Sequence, residues 1–157
     1  MSLGNKWEGA GAFQADRNLH GQEALPTFER SMAMLKDKSS SAIIAVSDIG
    51  RARTFYGETL GLVAEEDMGD VVTYRTGDTF LVVYKSEFAG TNKGNAVVWD
   101  VGDDIAAITR DLKAKGVTFE HYDMDGVEMD GDMHVAGDFR MVWFKDPDGN
   151  ILHMNSM

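Results

Sequence analysis

The sequence predicts an α+β fold built from two tandem β-α-β-β-β modules. A helical pattern that starts at an aspartate and stops at a glycine occurs twice, beginning at Asp48 and again at Asp104. Each pattern has one apolar run before it and three strand candidates after it. A unit of one helix and four strands cannot close its own core, so a second copy supplies the missing partner.

The first helix is predicted over residues 48–60. Asp48 is a preferred N-cap residue, and Gly61 is the preferred residue type just after a helix C-terminus. Between them the apolar residues recur at intervals of three and four, which is the period of one helix face. These residues are Ile49, Ala52, Phe55, Tyr56 and Leu60.

The second helix is predicted over residues 104–115 by the same signals. Asp104 is its candidate N-cap and Gly116 its stop. The apolar face is shorter than in the first helix and consists of Ile105, Ile108 and Leu112.

Eight strands are predicted from apolar and β-branched runs. The first module contributes residues 42–46, 62–68, 71–76 and 80–84, and the second contributes residues 96–101, 117–122, 139–144 and 151–154. The last two strands are joined by Asp-Pro-Asp-Gly-Asn at residues 146–150, whose residue types favour a tight turn. The chain is therefore predicted to close with a hairpin.

The first 38 residues differ from the rest. They hold five acidic and five basic residues, so the whole net negative charge lies on residues 39–157. Their apolar residues show weak periodicity, apart from a candidate helix over residues 27–35. We therefore divide the chain into an N-terminal extension, residues 1–38, and a domain over residues 39–157.

The composition limits the partners. With 157 residues, of which 43% are hydrophobic and 26% charged, the chain fits one globular domain. The formal charge of −11 argues against nucleic acid and anionic membranes, which attract basic patches. Cysteine is absent, so disulfides and thiolate ligands are excluded. We expect a cytoplasmic protein, because the N-terminus lacks the order of a signal peptide and no apolar run of about 18 residues occurs.

The chain resembles the vicinal-oxygen-chelate superfamily, which includes glyoxalase I, bleomycin-resistance proteins and extradiol dioxygenases. The resemblance rests on the closing turn and on residues 48–62, which read Asp-Ile-x-x-Ala-x-x-Phe-Tyr-x-x-x-Leu-Gly-Leu. It covers residues 40–156. The resemblance implies that the modules pair into a cup-shaped, eight-stranded mixed sheet with helices outside and the ligand inside. It also favours a homodimer.

Four positions supply metal ligands in the metal-using members of this superfamily. By resemblance they correspond to Ser41, Val82, Ala96 (Asn95 after a shift of one residue) and His153. Hydroxyl and alkyl groups are poor ligands for a divalent cation, and only His153, where the superfamily usually has glutamate, offers a strong donor. We therefore expect that this chain has lost the superfamily metal and uses no cofactor.

Strand alternation predicts which side chains line the cup. The lining is mostly apolar with a few polar groups, as is typical of a small-molecule pocket. A sheet face packed against a partner subunit would have the same composition. The predicted ligand-binding residues are Ser41, Ile43, Phe80, Val82, Tyr84, Ala96, Val98, Asp100, Ile151 and His153.

His153 is the candidate catalytic residue, because imidazole titrates near neutrality and can exchange protons. The competing interpretation is a half-buried histidine that only makes structural hydrogen bonds. His121 and His134 flank an acidic run that lacks the terminal glutamate of an EF-hand loop. We interpret that run as a solvated, mobile loop between the sixth and seventh strands.

Three classes of function remain open from sequence. The first is a metal-free protein that binds a small organic molecule in the cup, as bleomycin-resistance proteins do. The second is a divalent-metal-dependent lyase, isomerase or dioxygenase, against which the missing ligands count. The third is a metal-free enzyme with His153 as its acid or base, with Tyr84 or Asp100 nearby. The ligand itself cannot be read from the sequence.

The N-terminal extension is expected to contribute little to the cup. Deleting Met1 to Asp37 should change the midpoint of thermal unfolding by only a few degrees, which for this size corresponds to about 1 kcal/mol. Differential scanning calorimetry of the full and shortened chains measures this. Loss of folded protein on deletion would show instead that the extension is structural.

Overall fold

The structure, a computed structural model, describes residues 34–157. The fold below is that of the compact unit Asp37–Met157. The helix predicted over residues 27–35 lies outside the described residues except at its last two positions, and Leu35–Asp37 forms a 3₁₀ turn. No helix within residues 34–157 has the length and apolar character needed to cross a membrane.

The first half of this unit has the predicted β-α-β-β-β order. Its helix α1 (Ile49–Arg53) runs directly into a wider π-helical turn, Thr54–Thr59. One strand precedes the helix and three come after it. The strands are β1 (Ala42–Val46), β2 (Val63–Asp67), β3 (Val71–Thr76) and β4 (Thr79–Lys85).

The second half repeats this order with additions. Its helix α2 (Ile105–Ala114) is preceded by a 3₁₀ turn, Gly102–Asp104. The strand predicted over residues 117–122 is only two residues long, and two short strands that were not predicted come after it. The strands are β5 (Asn95–Asp100), β6 (Phe119–Glu120), β7 (Glu128–Asp130), β8 (Met133–Ala136), β9 (Phe139–Lys145) and β10 (Ile151–Asn155).

The strands form two mixed sheets. The first has the order β1-β4-β3-β2, and the second has the order β5-β10-β9-β8-β7 with β6 paired to β9. The pairs β1–β4 and β5–β10 are parallel and the others are antiparallel. The α+β prediction is confirmed, whereas the described strands differ from the expected single eight-stranded sheet.

The division into two sheets has a local cause at β1. Strands β1 and β5 contact each other at the centre of the unit but belong to different sheets. The carbonyl oxygen of Ala45 in β1 accepts a hydrogen bond from the Asn150 side chain at 2.9 Å. Part of the β1 edge is therefore bonded to the closing turn, where a continuous sheet would need β5 as the partner.

The residues predicted to begin and end the two helices can be compared with the structure. The Asp48 carboxylate accepts a hydrogen bond from the Arg51 backbone amide at 2.8 Å, as expected of an N-cap. Gly61 and Gly116 both adopt positive φ after their helices. Asp104 lies at the N-cap position of α2 as predicted, but its side chain makes no capping hydrogen bond, because a 3₁₀ turn leads into the helix there.

The acidic run is largely exposed, as predicted, but its last part, from Glu128, belongs to a β-hairpin that was not predicted. Strands β7 and β8 pair across Gly131, which has a φ of 63°. Next to it, Asp132 accepts a hydrogen bond from Lys113 of α2 at 2.5 Å and lies 3.1 Å from the His121 ring nitrogen Nε2. The hydrogen bond from Lys113 above all, with that to His121, holds the pKa of Asp132 below its ordinary value.

The closing turn is organised around the buried carboxylate of Asp146. Oδ1 accepts the backbone amides of Asp148 and Asn150, each at 2.9 Å. Oδ2 accepts the Asn150 side-chain amide at 2.8 Å and the hydroxyl of Tyr56 at 2.7 Å. Tyr56 belongs to the π-helical turn of the first half, so this carboxylate joins the two halves.

A second contact between the halves lies at the surface beside the first. The Asp148 carboxylate accepts hydrogen bonds from the backbone amide of Ser47 at 3.1 Å and from its hydroxyl at 2.5 Å. It also accepts one from Arg51 of α1 at 3.0 Å. Residues 146–150 therefore hold β1 and α1 against the closing hairpin.

The backbone of the closing turn packs closely against Gly90. It has a φ of +72°, and a Cβ added there would collide with the backbone carbonyl oxygen of Asp148. Gly77 has a φ of +56° and open space around its Cα. Gly77→Ala should cost about 1–2 kcal/mol for the strained backbone alone, and Gly90→Ala should cost about 1–3 kcal/mol more. Urea unfolding of both variants measures the difference, and equal costs would contradict the contact.

Candidate functional site

Within residues 34–157, the helices α1 and α2 lie on one face of the sheets, and we call the opposite face the open face. On β1 and β4 the fully buried residues Ile44, Val46, Leu81 and Val83 lie on the helix side. Their alternating neighbours lie on the open face, as the sequence predicted.

The predicted residues of the first half all lie on or next to the open face. Ile43 is 62% exposed and lies opposite Val82 in the parallel ladder. Tyr84 is half-buried opposite Ala45. Phe80 is half-buried, with the Arg75 guanidinium 5.0 Å from its ring centre. Ser41 is exposed just before β1.

The predicted residues of the second half lie along β5 and β10. Val98 is 52% exposed and pairs with His153, and the exposed Asp100 pairs with Asn155. Ile151 and Ala96 are half-buried beside a shift in the ladder that leaves Ala96 without a direct partner. Such bulges are typical of positions where a strand re-aims its side chains.

These residues divide between two clefts at the junction of β1 and β5. The first, of about 230 Å³, is lined by Ile43, Tyr84 and Ala96 together with Phe88, Thr91 and Asn92 of the β4–β5 loop. We call it the loop cleft.

The second cleft, of about 280 Å³, contains Phe80, Val98 and Asp100. We call it the strand cleft. Of the other predicted residues, Ser41, Val82, Ile151 and His153 line neither cleft.

The loop cleft includes residues that sequence reasoning missed. Phe88, Thr91 and Asn92 lie in a segment without helix or strand periodicity, so alternation could not assign them a face. Asn150 was noted only as a turn residue, although it also lines this cleft. The only signal for the loop in the sequence was its glycine content, which marks a turn and not a binding residue.

His153 lies on the floor of the open face and is 8% exposed. Its Nδ1 lies 3.0 Å from the carbonyl oxygen of Val142, so Nδ1 carries the proton and donates. Nε2 then has the free lone pair, and the Asn155 amide approaches it at 3.4 Å. Burial is the main cause that lowers the pKa of His153, so the ring is neutral at pH 7.

An aromatic row continues from His153 along the second sheet. Trp143 stacks on the His153 ring with centroids 4.4 Å apart, and His134 meets Trp143 edge-on at 4.9 Å. Tyr122, 37% exposed, stacks on the other end of the row, 6.0 Å from His134.

His134 was placed wrongly by the sequence, which put it beside a solvated loop. It belongs to β8 and is fully buried. Its Nε2 accepts the backbone amide of Tyr122 at 2.8 Å, and its Nδ1 has no hydrogen-bond partner. Alternation along β8 could have predicted its burial, but the strand is too short and too close to acidic residues to be recognised.

The superfamily metal does not fit the residues at its four positions. Ser41 offers an exposed hydroxyl, and Val82 and Ala96 offer no donor atom. His153 offers only Nε2, which the side-chain amide of Asn155 approaches at 3.4 Å. Within residues 34–157, no group of three or more His, Asp or Glu side chains is arranged to hold a metal ion.

Comparison with known proteins identifies the fold. Residues 38–154 match the family model of the Glyoxalase/Bleomycin resistance protein/Dioxygenase superfamily. No curated protein matches the sequence.

Similar solved structures share the architecture at low identity. An integron cassette protein from the mobile metagenome of the Halifax Harbour sewage outfall has a TM-score of 0.58 and 18% identity, covering 76% of this chain and 98% of its own. A bleomycin resistance determinant encoded on the transposon Tn5 has a TM-score of 0.57 and 18% identity, with coverages of 75% and 96%. The fosfomycin resistance protein FosX from Listeria monocytogenes, crystallised with Mn(II) and a dihydroxypropylphosphonic acid, has a TM-score of 0.58 and 14% identity, with coverages of 76% and 89%.

The lowered pKa of His153 makes a pH-dependent contribution to stability. As pH falls below the ordinary value of 6.5, the unfolded chain takes up the proton before the folded chain does. With respect to His153, the free energy of unfolding is therefore highest above pH 6.5, and it decreases as pH falls toward the pKa of the folded chain. Urea unfolding at about pH 7.5 and pH 5.5 should show a larger loss for the natural chain than for His153→Gln.

The matched control is His121→Gln, because the His121 side chain is 54% exposed and does not contact His153. That variant should keep the part of the pH dependence that His153→Gln removes. The same pH dependence in His153→Gln and the natural chain would contradict the assignment.

Proposed function

This chain belongs to the Glyoxalase/Bleomycin resistance protein/Dioxygenase superfamily, and we propose that it binds a small organic molecule on the open face without the superfamily metal. The observation that carries the proposal is the chemistry of the loop cleft. Its lining joins the apolar Ile43 and Ala96 to the phenol of Tyr84 and the amide of Asn92. A few polar groups in an apolar cleft are typical of small-molecule sites.

The donor set supports a metal-independent site. Ser41, Val82 and Ala96 provide no imidazole or carboxylate, and a divalent cation held by His153 alone would be bound weakly. The FosX structure with Mn(II) has 14% identity to this chain, so the likeness concerns the fold. The bleomycin resistance determinant, at 18% identity, likewise supports the fold and does not identify a ligand.

The ligand can be identified by what copurifies with the full chain. Native mass spectrometry of gently desalted protein should show a bound organic mass, which solvent extraction and chromatography then identify. Ile43→Trp should remove that mass, because the indole fills the mouth of the loop cleft. The matched control is Val63→Trp on the edge strand β2, where the natural side chain is 71% exposed and lies outside both clefts.

Two results would contradict this proposal. One is equal retention of the bound molecule in Ile43→Trp and Val63→Trp. The other is stoichiometric zinc, nickel, iron or manganese that survives dialysis and disappears in His153→Ala. A fall in oligomeric mass for Ile43→Trp, without any bound molecule, would assign the open face to a second copy of the chain instead.

A metal-free enzyme is the second candidate, and the tautomer of His153 favours it. Because Nδ1 donates to the carbonyl oxygen of Val142, Nε2 is the ring nitrogen that has a lone pair to accept a proton. If the copurifying molecule is turned over, His153→Ala should abolish turnover and His121→Ala should not. Retained turnover in His153→Ala would remove the acid–base role and leave the binding proposal intact.

A further inference from the structure

A cavity of about 150 Å³ lies on the helix side of the sheets, away from the open face. Its floor includes Trp99 of β5 and Met154 of β10, which are paired in the parallel ladder. Ile108 and Leu112 of α2 cover it. Trp99 and Met154 are the immediate neighbours of Val98 and His153 and so point to the other side of the sheet, although Trp99 also lines the strand cleft.

The wall of the cavity comes from the other half of the unit. Leu60 and Leu62, which come directly after the π-helical turn, complete the lining. In that turn the Leu60 amide bonds to the Phe55 carbonyl, five residues back, at 2.9 Å. The extra residue in a π-turn rotates the next part of the chain, and such turns occur frequently at functional sites. Leu60, the residue directly after this turn, thereby lies in the lining of the cavity.

The lining is apolar. Among the described residues that line it, the indole of Trp99 is the only side chain with a hydrogen-bonding group. The backbone amides of Leu60, Leu62 and Val101 are already bonded to carbonyls of Phe55, Tyr56 and Asn155. A buried water needs two to four polar partners, so water is poorly held there.

We propose that this cavity is a second binding site, for an apolar molecule about the size of a benzene ring. Enclosed cavities of about this volume lined by Leu, Ile and Phe bind benzene, and this cavity has about the same volume and a similar lining but is open on one side. Leu60, Trp99 and Ile108 are only half-buried, so the cavity can be reached from solvent. The volume is too small for a helix or strand of a partner, which favours a small molecule as the occupant.

Titration of the full chain with fluorobenzene, monitored by ¹⁹F NMR, tests the proposal. Saturable binding is expected, and Ile108→Phe should weaken it at least about tenfold by filling the cavity. Val63→Phe is the control, because it adds a similar ring at an exposed position of β2 that lines neither the cavity nor a cleft, and it should leave the affinity unchanged. Binding that Ile43→Phe weakens and Ile108→Phe leaves unchanged would assign fluorobenzene to the loop cleft and would overturn the proposal.

A second variant tests the proposal even if Ile108→Phe does not fold. Leu62→Ala enlarges the cavity, so fluoronaphthalene should gain affinity relative to fluorobenzene by several-fold. A merely destabilised protein would not reverse the preference for ring size. The proposal is overturned if fluorobenzene does not bind, or if both cavity variants bind the two rings as the natural chain does.

Discussion

The buried carboxylate of Asp146 is the interaction on which the arrangement of the two halves depends. It accepts four hydrogen bonds, of which the one from Tyr56 crosses to the first half. A buried carboxylate without such partners would cost free energy, so the Tyr56 hydrogen bond couples the π-helical segment to the turn. Burial and the adjacent negative charge raise the pKa of Tyr56, which keeps its hydroxyl as a donor. The clefts exist because β1 and β5 are held side by side without sharing a sheet.

Much of the fold could be predicted because local signals and tertiary packing agree. Strand β1 and strand β3 end where the apolar alternation ends, and the capping carboxylate of Asp48 marks the start of α1. The hairpin of β7 and β8 could not be predicted, because its strands are short, β7 is exposed throughout, and only the Asp132 carboxylate at its turn is bound, by Lys113 and His121 from elsewhere in the chain. The separation of the sheets was equally hidden, since it depends on which donor reaches the edge of β1 in three dimensions.

Strand alternation predicts which face of the sheets carries the candidate residues, but it does not predict the shape of the clefts. Period-two alternation placed Ile43, Val82, Val98 and His153 correctly on the open face, because a strand with one buried side leaves no other register. Alternation says nothing about depth, and His153 lies on the floor while Ile43 and Val98 lie at the rim. It also says nothing about loops, which is why Phe88 and Asn92 were missed although they border the loop cleft. Loops often carry binding residues, and they lack the periodicity from which a sequence pattern assigns a residue to a face.

The open face and the helix-side cavity share two strands. On β5 the side chains alternate from Val98 to Trp99, and on β10 they alternate from His153 to Met154, so each strand serves both surfaces. Packed interiors resist compression, and a shift of either strand on one side must be accommodated on the other. Any coupling between occupants of the two surfaces must also be reciprocal, since each would change the affinity of the other by the same factor. Duplication of the module therefore does more than close a core, because the paired strands at its centre carry two chemically different surfaces, the open face with its polar groups and the apolar cavity on the helix side.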